Sequence, residues 1–197
     1  PNHTGHGAPI ALMANGSWDM PMGEVAINIE LAAEIARNSP LIEIDDIAHR
    51  FEHSLEVQVP FLQYIQKDLS IAPIVVSHVP YESCVAVGQG LAAAIKSYGK
   101  PVLIVASTDM THYESRQAAS AKDSLALARI QELDPEGLYN TVIGKRISMC
   151  GIMPATVALV AALALGAKKA ELVRYTDSGE TSGDTSQVVG YAGLVIT

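Results

Sequence analysis

Four short apolar runs bounded by chain breakers constrain this chain more than any other feature: residues 71–77 (IAPIVVS), 101–107 (PVLIVAS), 170–176 (AELVRYT) and 188–197 (VVGYAGLVIT). Runs of this length, rich in Val and Ile and nearly continuous, suit strands buried on both faces. Helical patterns lie between them. Residues 28–38 carry Ile29, Leu31, Ala32 and Ile35 on one side, and residues 52–66 carry Leu55, Val59, Leu62 and Ile65, with Pro60 bending or cutting the pattern. Residues 81–98 are Ala-rich and stop before Gly99, 115–133 are closed by Asp134 and Pro135, and 154–165 run from Pro154 to Gly166. Strands alternating with helices of this length imply crossover connections. The expected class is therefore α/β, three-layered, with a mixed, mostly parallel central sheet and helices on both faces. The stretch 177–187 (DSGETSGDTSQ) is the one loop-rich zone.

Composition narrows the functional classes. Hydrophobic residues make up 49% of the 197 and charged residues 17%, which excludes a disordered chain. The length fits one domain spanning 1–197. Thirteen Lys and Arg against 21 Asp and Glu leave a net charge of -8 and no basic field, so nucleic acid is not an expected partner. The longest apolar run, 155–165, is about half of the roughly 20 residues a bilayer span needs, so a buried helix is expected there and no membrane partner. Two cysteines, Cys84 and Cys150, neither in a Cys-x-x-Cys pair, make no disulfide framework and point to a reducing, cytoplasmic setting. A start on Pro1, with no secretory leader, suits a processed or partial product.

Chemistry is expected just past the apolar runs, where open α/β sheets collect ligands. Asp109 and His112 follow the run 102–106, and an acid beside an imidazole at a strand exit can fix the ring's tautomer for proton transfer. Asp109 serves equally well as a cap for the following helix. His3 lies in the Gly-rich segment Pro1-Asn2-His3-Thr4-Gly5-His6-Gly7, where an imidazole can bind metal or simply sit at the surface. Cys150 stands at the turn into an apolar helix, as a soft metal ligand, a nucleophile paired with His112, or an inert core residue. His53 and Glu56, three apart, share a helix face, but the two histidines of a zinc-protease signature are missing. His78 and Cys84 have no polar company and are expected to be structural. Gly88-Gln89-Gly90 lacks the third glycine of a dinucleotide loop.

Taken together, Pro1-Asn2-His3, Glu52-His53-Ser54-Leu55-Glu56-Val57-Gln58-Val59-Pro60-Phe61, Ser107-Thr108-Asp109-Met110-Thr111-His112-Tyr113, Cys150-Gly151, Ser182-Gly183-Asp184 and Gly190-Tyr191-Ala192-Gly193 resemble the Memo family, also called AmmeMemoRadiSam system protein B. That family is similar in fold to the class III, LigB-type extradiol dioxygenases. The resemblance implies a metal pocket at a sheet edge, with His3 and Cys150 as ligands and Asp109 and His112 as the polar pair that acts on protons. It also implies a further N-terminal segment with a His-Ala-Gly-Tyr histidine as first ligand, for which 1–197 has no match. The resemblance makes iron the first expected metal, with copper or zinc next, and a thiolate in the set favours all three over hard cations. The implied function is a metal-binding, dioxygenase-like oxidoreductase acting on a small molecule. The alternative is a non-catalytic module that binds a protein or peptide in the same pocket.

Overall fold

The side chain of Asn28 accepts the Leu31 N–H at 2.9 Å and so opens helix α1 (Ile29–Asn38), which buries Leu31, Ala32 and Ile35. This computed structural model describes residues 1–197. Helix α3 (Tyr81–Tyr98) ends where Gly99 turns left-handed at φ 70°, as the breaker implies. Helix α4 (Arg116–Gln131) is capped by Ser115, whose Oγ accepts from Ala118, and Asp134 then caps α5 (Pro135–Lys145), an element the sequence pattern does not announce. Helix α6 (Ile152–Leu165) begins two residues before Pro154 and stops at Gly166. Within 52–66, Pro60 falls in the first turn of a short helix, α2 (Val59–Ile65), preceded by a 3₁₀ turn at Glu56–Gln58.

The strands form three three-stranded sheets rather than one mostly parallel sheet. In the first, β1 (Ile10–Leu12) pairs parallel with β4 (Glu43–Ile44) and antiparallel with β6 (Ile74–Val76). In the second, β3 (Gly23–Ile27) pairs antiparallel with β2 (Ser17–Met20) and parallel with β5 (Ser70–Ile71). In the third, β9 (Val188–Ile196) pairs antiparallel with β7 (His112–Glu114) and β8 (Ala170–Asp177). The α/β class holds, with seven helices and mixed sheets. The physical reason for the antiparallel third sheet is its short link, 178–187, which holds only helix α7 (Gly179–Ser182) and is too short for a crossover. The run 71–77 is cut at Ala72-Pro73, because proline has no N–H for a ladder.

Residues 101–107 are apolar but join no ladder, and Leu103 is 75% exposed. Between this segment, β6, α2 and α3 runs an apolar groove of about 800 Å³, lined among others by Leu62, Ile74, Val76, Leu91 and Ile104. Helix α6 packs on α3 so closely that a Cβ on Gly88 would press into Val160 and the Val157 carbonyl, and the main core includes this contact and reaches the groove at Leu31, Ile35, Val76 and Leu91. Cys84 is sealed in that core beside Met153, and burial pushes its thiol up to about 11, in keeping with a structural role. His78 is exposed. No helix is long and apolar enough to cross a membrane.

Candidate metal centre

The site is assembled from four segments that lie next to secondary-structure elements. The 107–111 loop leaves the extended segment and enters β7. Residues 148–151 enter α6, and residues 1–7 lie against the 52–58 loop. Side-chain hydrogen bonds tie them. Ser107 Oγ donates to the Ser54 carbonyl at 2.7 Å, Gln58 Nε2 donates to Ser107 Oγ at 3.2 Å, and Ser54 Oγ donates to the Pro1 carbonyl at 3.2 Å. Gly151 is demanded by contact: a Cβ there would run into Thr108 and the Ser107 carbonyl, and its N–H donates to Thr108 Oγ1 at 2.9 Å.

That close approach brings Cys150 to the 107–111 loop. The Asp109 N–H donates to Cys150 Sγ at 3.2 Å. The ligand atoms of Asp109, His112 and Cys150 lie within 4.8 Å of one another, all half-buried. The sulfur is neither isolated nor sealed in hydrocarbon. Asp109 does not cap α4, since Ser115 does. Nor does it fix the imidazole: His112 Nε2 is 3.7 Å from Asp109 Oδ2, beyond hydrogen-bond length. The orienting partner is Ser148, whose carbonyl lies 2.7 Å from His112 Nδ1 and whose hydroxyl accepts the His112 N–H at 2.8 Å. A carbonyl only accepts, so Nδ1 carries hydrogen, and in the neutral ring Nε2 keeps a lone pair on the side of Asp109 and Cys150.

His3 belongs to a second group, with Glu52 and His53, whose ligand atoms are likewise within 4.8 Å. Glu52 is the buried member, its side chain 1% exposed. It accepts the His3 N–H at 2.5 Å, His3 Nδ1–H at 2.9 Å, and the His53 and Ser54 N–H groups at 3.0 Å. Burial works to raise its pKa, but these hydrogen bonds outweigh it and hold the carboxyl down at about 2. Glu52 therefore fixes His3 as the Nδ1–H tautomer with Nε2 as the free donor atom, the role carboxylates play behind metal-binding histidines. His53 stacks on His3 with ring centroids 5.0 Å apart. It lies in the loop before the 3₁₀ turn, so the helix face expected to join it to Glu56 does not form, and Glu56 is exposed.

The structure thus divides the four site residues of the sequence analysis into Asp109, His112 and Cys150 on one side and His3 on the other. Pro1 is buried close to Glu52 of one group and Cys150 of the other. Imidazole, thiol and carboxyl donors, each histidine held by an acceptor at Nδ1, fit a divalent transition metal rather than calcium or magnesium.

Comparison with known proteins agrees with the motifs. The family model described as Memo-like protein matches residues 1–195. The chain belongs to the Memo-like family. It is 41% identical over 194 residues to a MEMO1 family protein of Methanothermobacter thermautotrophicus, covering 98% of this chain and 70% of that protein. A MEMO1 family protein of Aquifex aeolicus is 42% identical over 196 residues, with 99% and 72% covered, and one of Methanocaldococcus jannaschii 39% identical over 200 residues, with 100% and 69% covered.

Three residues that position this Memo-like site escaped the sequence reading: Glu52, Ser148 and Asp123. Asp123 is wholly buried on α4 and accepts the Thr111 N–H at 2.9 Å and the Tyr175 hydroxyl at 2.8 Å, bracing the loop beneath His112. Its sequence trace is Gly190, where a Cβ would run into the Asp123 carboxyl.

Proposed function

We propose that this Memo-like chain binds a divalent transition metal, iron in the first place and copper or zinc next, through His3 and Cys150, with a further histidine supplied by polypeptide outside residues 1–197. The observation that carries the reading is the meeting of Cys150 with Asp109 and His112, together with a second group in which the His3 ring is already held by an ionised Glu52. A bound iron would supply redox chemistry toward a small organic substrate, which makes a dioxygenase-like oxidoreductase the leading activity. The chain's own residues carry the rest. Cys150 contributes the soft donor, Glu52 and Ser148 hold the two rings, and His112 Nε2 is placed to take or return a proton on the Asp109 side. The expected setting is cytoplasmic, with both cysteines free.

Anaerobic loading with Fe(II), followed by metal analysis, tests this: about one ion per chain is expected, lost in His3→Ala and Cys150→Ala. Cobalt substitution gives a second readout, since a sulfur-to-metal charge-transfer band should vanish with Cys150→Ser. Undiminished metal in both alanine variants would overturn the assignment. The alternative, a peptide-binding module, draws its support from the 800 Å³ apolar groove. None of His3, Asp109, His112 and Cys150 lines that groove, so it would be a separate surface from the metal centre.

A further inference from the structure

A second, smaller cleft of about 320 Å³ opens directly beside Asp109. Thr108 and Asp109 form one wall, and the β8–β9 hairpin forms the floor. The hairpin register decides which side chains face it. Arg174 pairs with Gly193 and Thr176 with Tyr191, and all four line the cleft. Tyr175 between them points to the opposite face, where its hydroxyl meets buried Asp123, so period-two alternation fixes Arg174 and Thr176 toward the cleft. Gly193 leaves the Arg174 end open, because a Cβ there would meet no atom within 4 Å.

The polar groups are asymmetric. At one end stands Arg174, the only basic residue lining the cleft. Glu180, on α7, accepts from Arg174 Nη2 at 2.7 Å and also from the Thr176 hydroxyl, which steers the guanidinium but engages only one of its nitrogens. At the other end is the Asp109 carboxyl. Tyr191 lies between them, its phenol pushed up by burial and by the nearby Asp109, so it stays a hydrogen-bond donor. A cation at one end and an acid at the other repel a simple anion from half the cleft and a simple cation from the other half.

We propose that this cleft binds a small carboxylic acid whose far end carries a hydrogen-bond donor, a hydroxyl or an ammonium, with the carboxylate on Arg174 and the donor on Asp109. This deepens the function proposed above by naming a substrate class for the same site, and it rests on Asp109 belonging to that site. The volume, near the small end of the roughly 300–1,000 Å³ typical of ligand pockets, suits a molecule of a few carbons rather than a peptide.

The test is an amide-shift titration of the ¹⁵N-labelled, metal-free chain in EDTA, so that failure of metal binding and failure of this assignment read out separately. The probes are γ-hydroxybutyrate and γ-aminobutyrate, with γ-hydroxybutyramide and butyrate as controls that lack the carboxylate or the donor. Both donor-bearing acids should shift the amides of Thr108, Asp109 and Tyr191 to Gly193, and each control should bind at least about tenfold more weakly, because each leaves one end of the cleft unpaired. Arg174→Gln, at an exposed position, should lose about tenfold for the acids, whereas Glu180→Gln should tighten them by freeing the guanidinium. Equal binding of acid and control, unchanged binding in Arg174→Gln, shifts confined to other residues, or no shift at all at about 10 mM would each overturn the proposal.

Discussion

The Glu52 carboxyl receives four hydrogen bonds from three residues, distant His3 and the adjoining His53 and Ser54, and its stability contribution has a defined pH window. Its folded value of about 2 lies below the ordinary 4.5. A carboxyl depressed on folding stabilises fully above its unfolded value, and that contribution is lost as pH falls through the folded one. The window is therefore about pH 4.5 to 2, and the shift corresponds to something on the order of 3 kcal/mol. Urea unfolding at stepped pH should show the wild type losing this stability across the window, while Glu52→Gln, already weaker at neutral pH, declines less steeply. Other depressed carboxyls, such as Asp177 on Arg116, are common to both proteins and cancel in the difference. Equal slopes would remove Glu52 from its assigned role. Metal affinity gives a second prediction: Glu52→Gln should weaken Fe(II) binding by roughly 10–100-fold, as loss of a carboxylate behind a ligating histidine does, read by competition with a coloured chelator. His3 and Cys150 were legible as residue types in motifs. Glu52 was not, because its burial is created by a partner 49 positions away, which no local pattern records.

At the scale of elements, two helical glycines separate intrinsic propensity from packing. Replacing glycine by alanine in a helix interior gains up to about 1 kcal/mol from backbone entropy. Gly144 on α5 has nothing near the added methyl, so Gly144→Ala should raise stability by several tenths of a kcal/mol to about 1. Gly88 sits where α3 meets α6, and there the methyl would press on the Val157 carbonyl and Val160. Overpacking of about 1–3 kcal/mol outweighs the same gain, so Gly88→Ala should lower stability by roughly 1–2 kcal/mol. Denaturant midpoints of both variants decide it, and a stabilised Gly88→Ala would mean the helices can part without cost. These helices were legible because their signals are local. Asn28, Gly99 and Gly166 mark ends that the structure keeps. Strand pairing was legible only as apolar runs, since which run meets which is settled by link length and by distant partners. Hence the loop-rich link 177–187 joins β8 and β9 as an antiparallel hairpin within a sheet expected to be mostly parallel, and the short strands β1 to β4 carry too few residues to announce themselves.

For the molecule as a whole, the segment 101–107 is where sequence and structure part most sharply. Its composition is that of a central strand, and alternate residues Val102 and Ile104 are half-buried while Leu103 and Val105 face outward. Yet its backbone N–H groups find no partner, and the apolar groove beside it separates it from the edge of β6. The same segment delivers Ser107 and Asp109 to the metal centre, so the site hangs from a stretch that is half-buried on one side and joins no ladder. Apolar burial on one face without hydrogen bonding leaves a backbone that opens locally at low cost, because exchange requires only that water reach the amide. β9 is different: it pairs with β8 along Gly190–Ile196 and with β7 at Val188 and Val189. Hydrogen exchange on the 197-residue chain should therefore find the amides of Val102 to Ala106 exchanging orders of magnitude faster than the amides of β9 that donate into its ladder with β8. Asp109, bonded to Cys150 Sγ, and Met110, bonded to the Gly190 carbonyl, should mark the point where protection begins. Slow exchange throughout 102–106 would show that another strand occupies the groove and pairs with this edge, and the site would then rest on a full ladder.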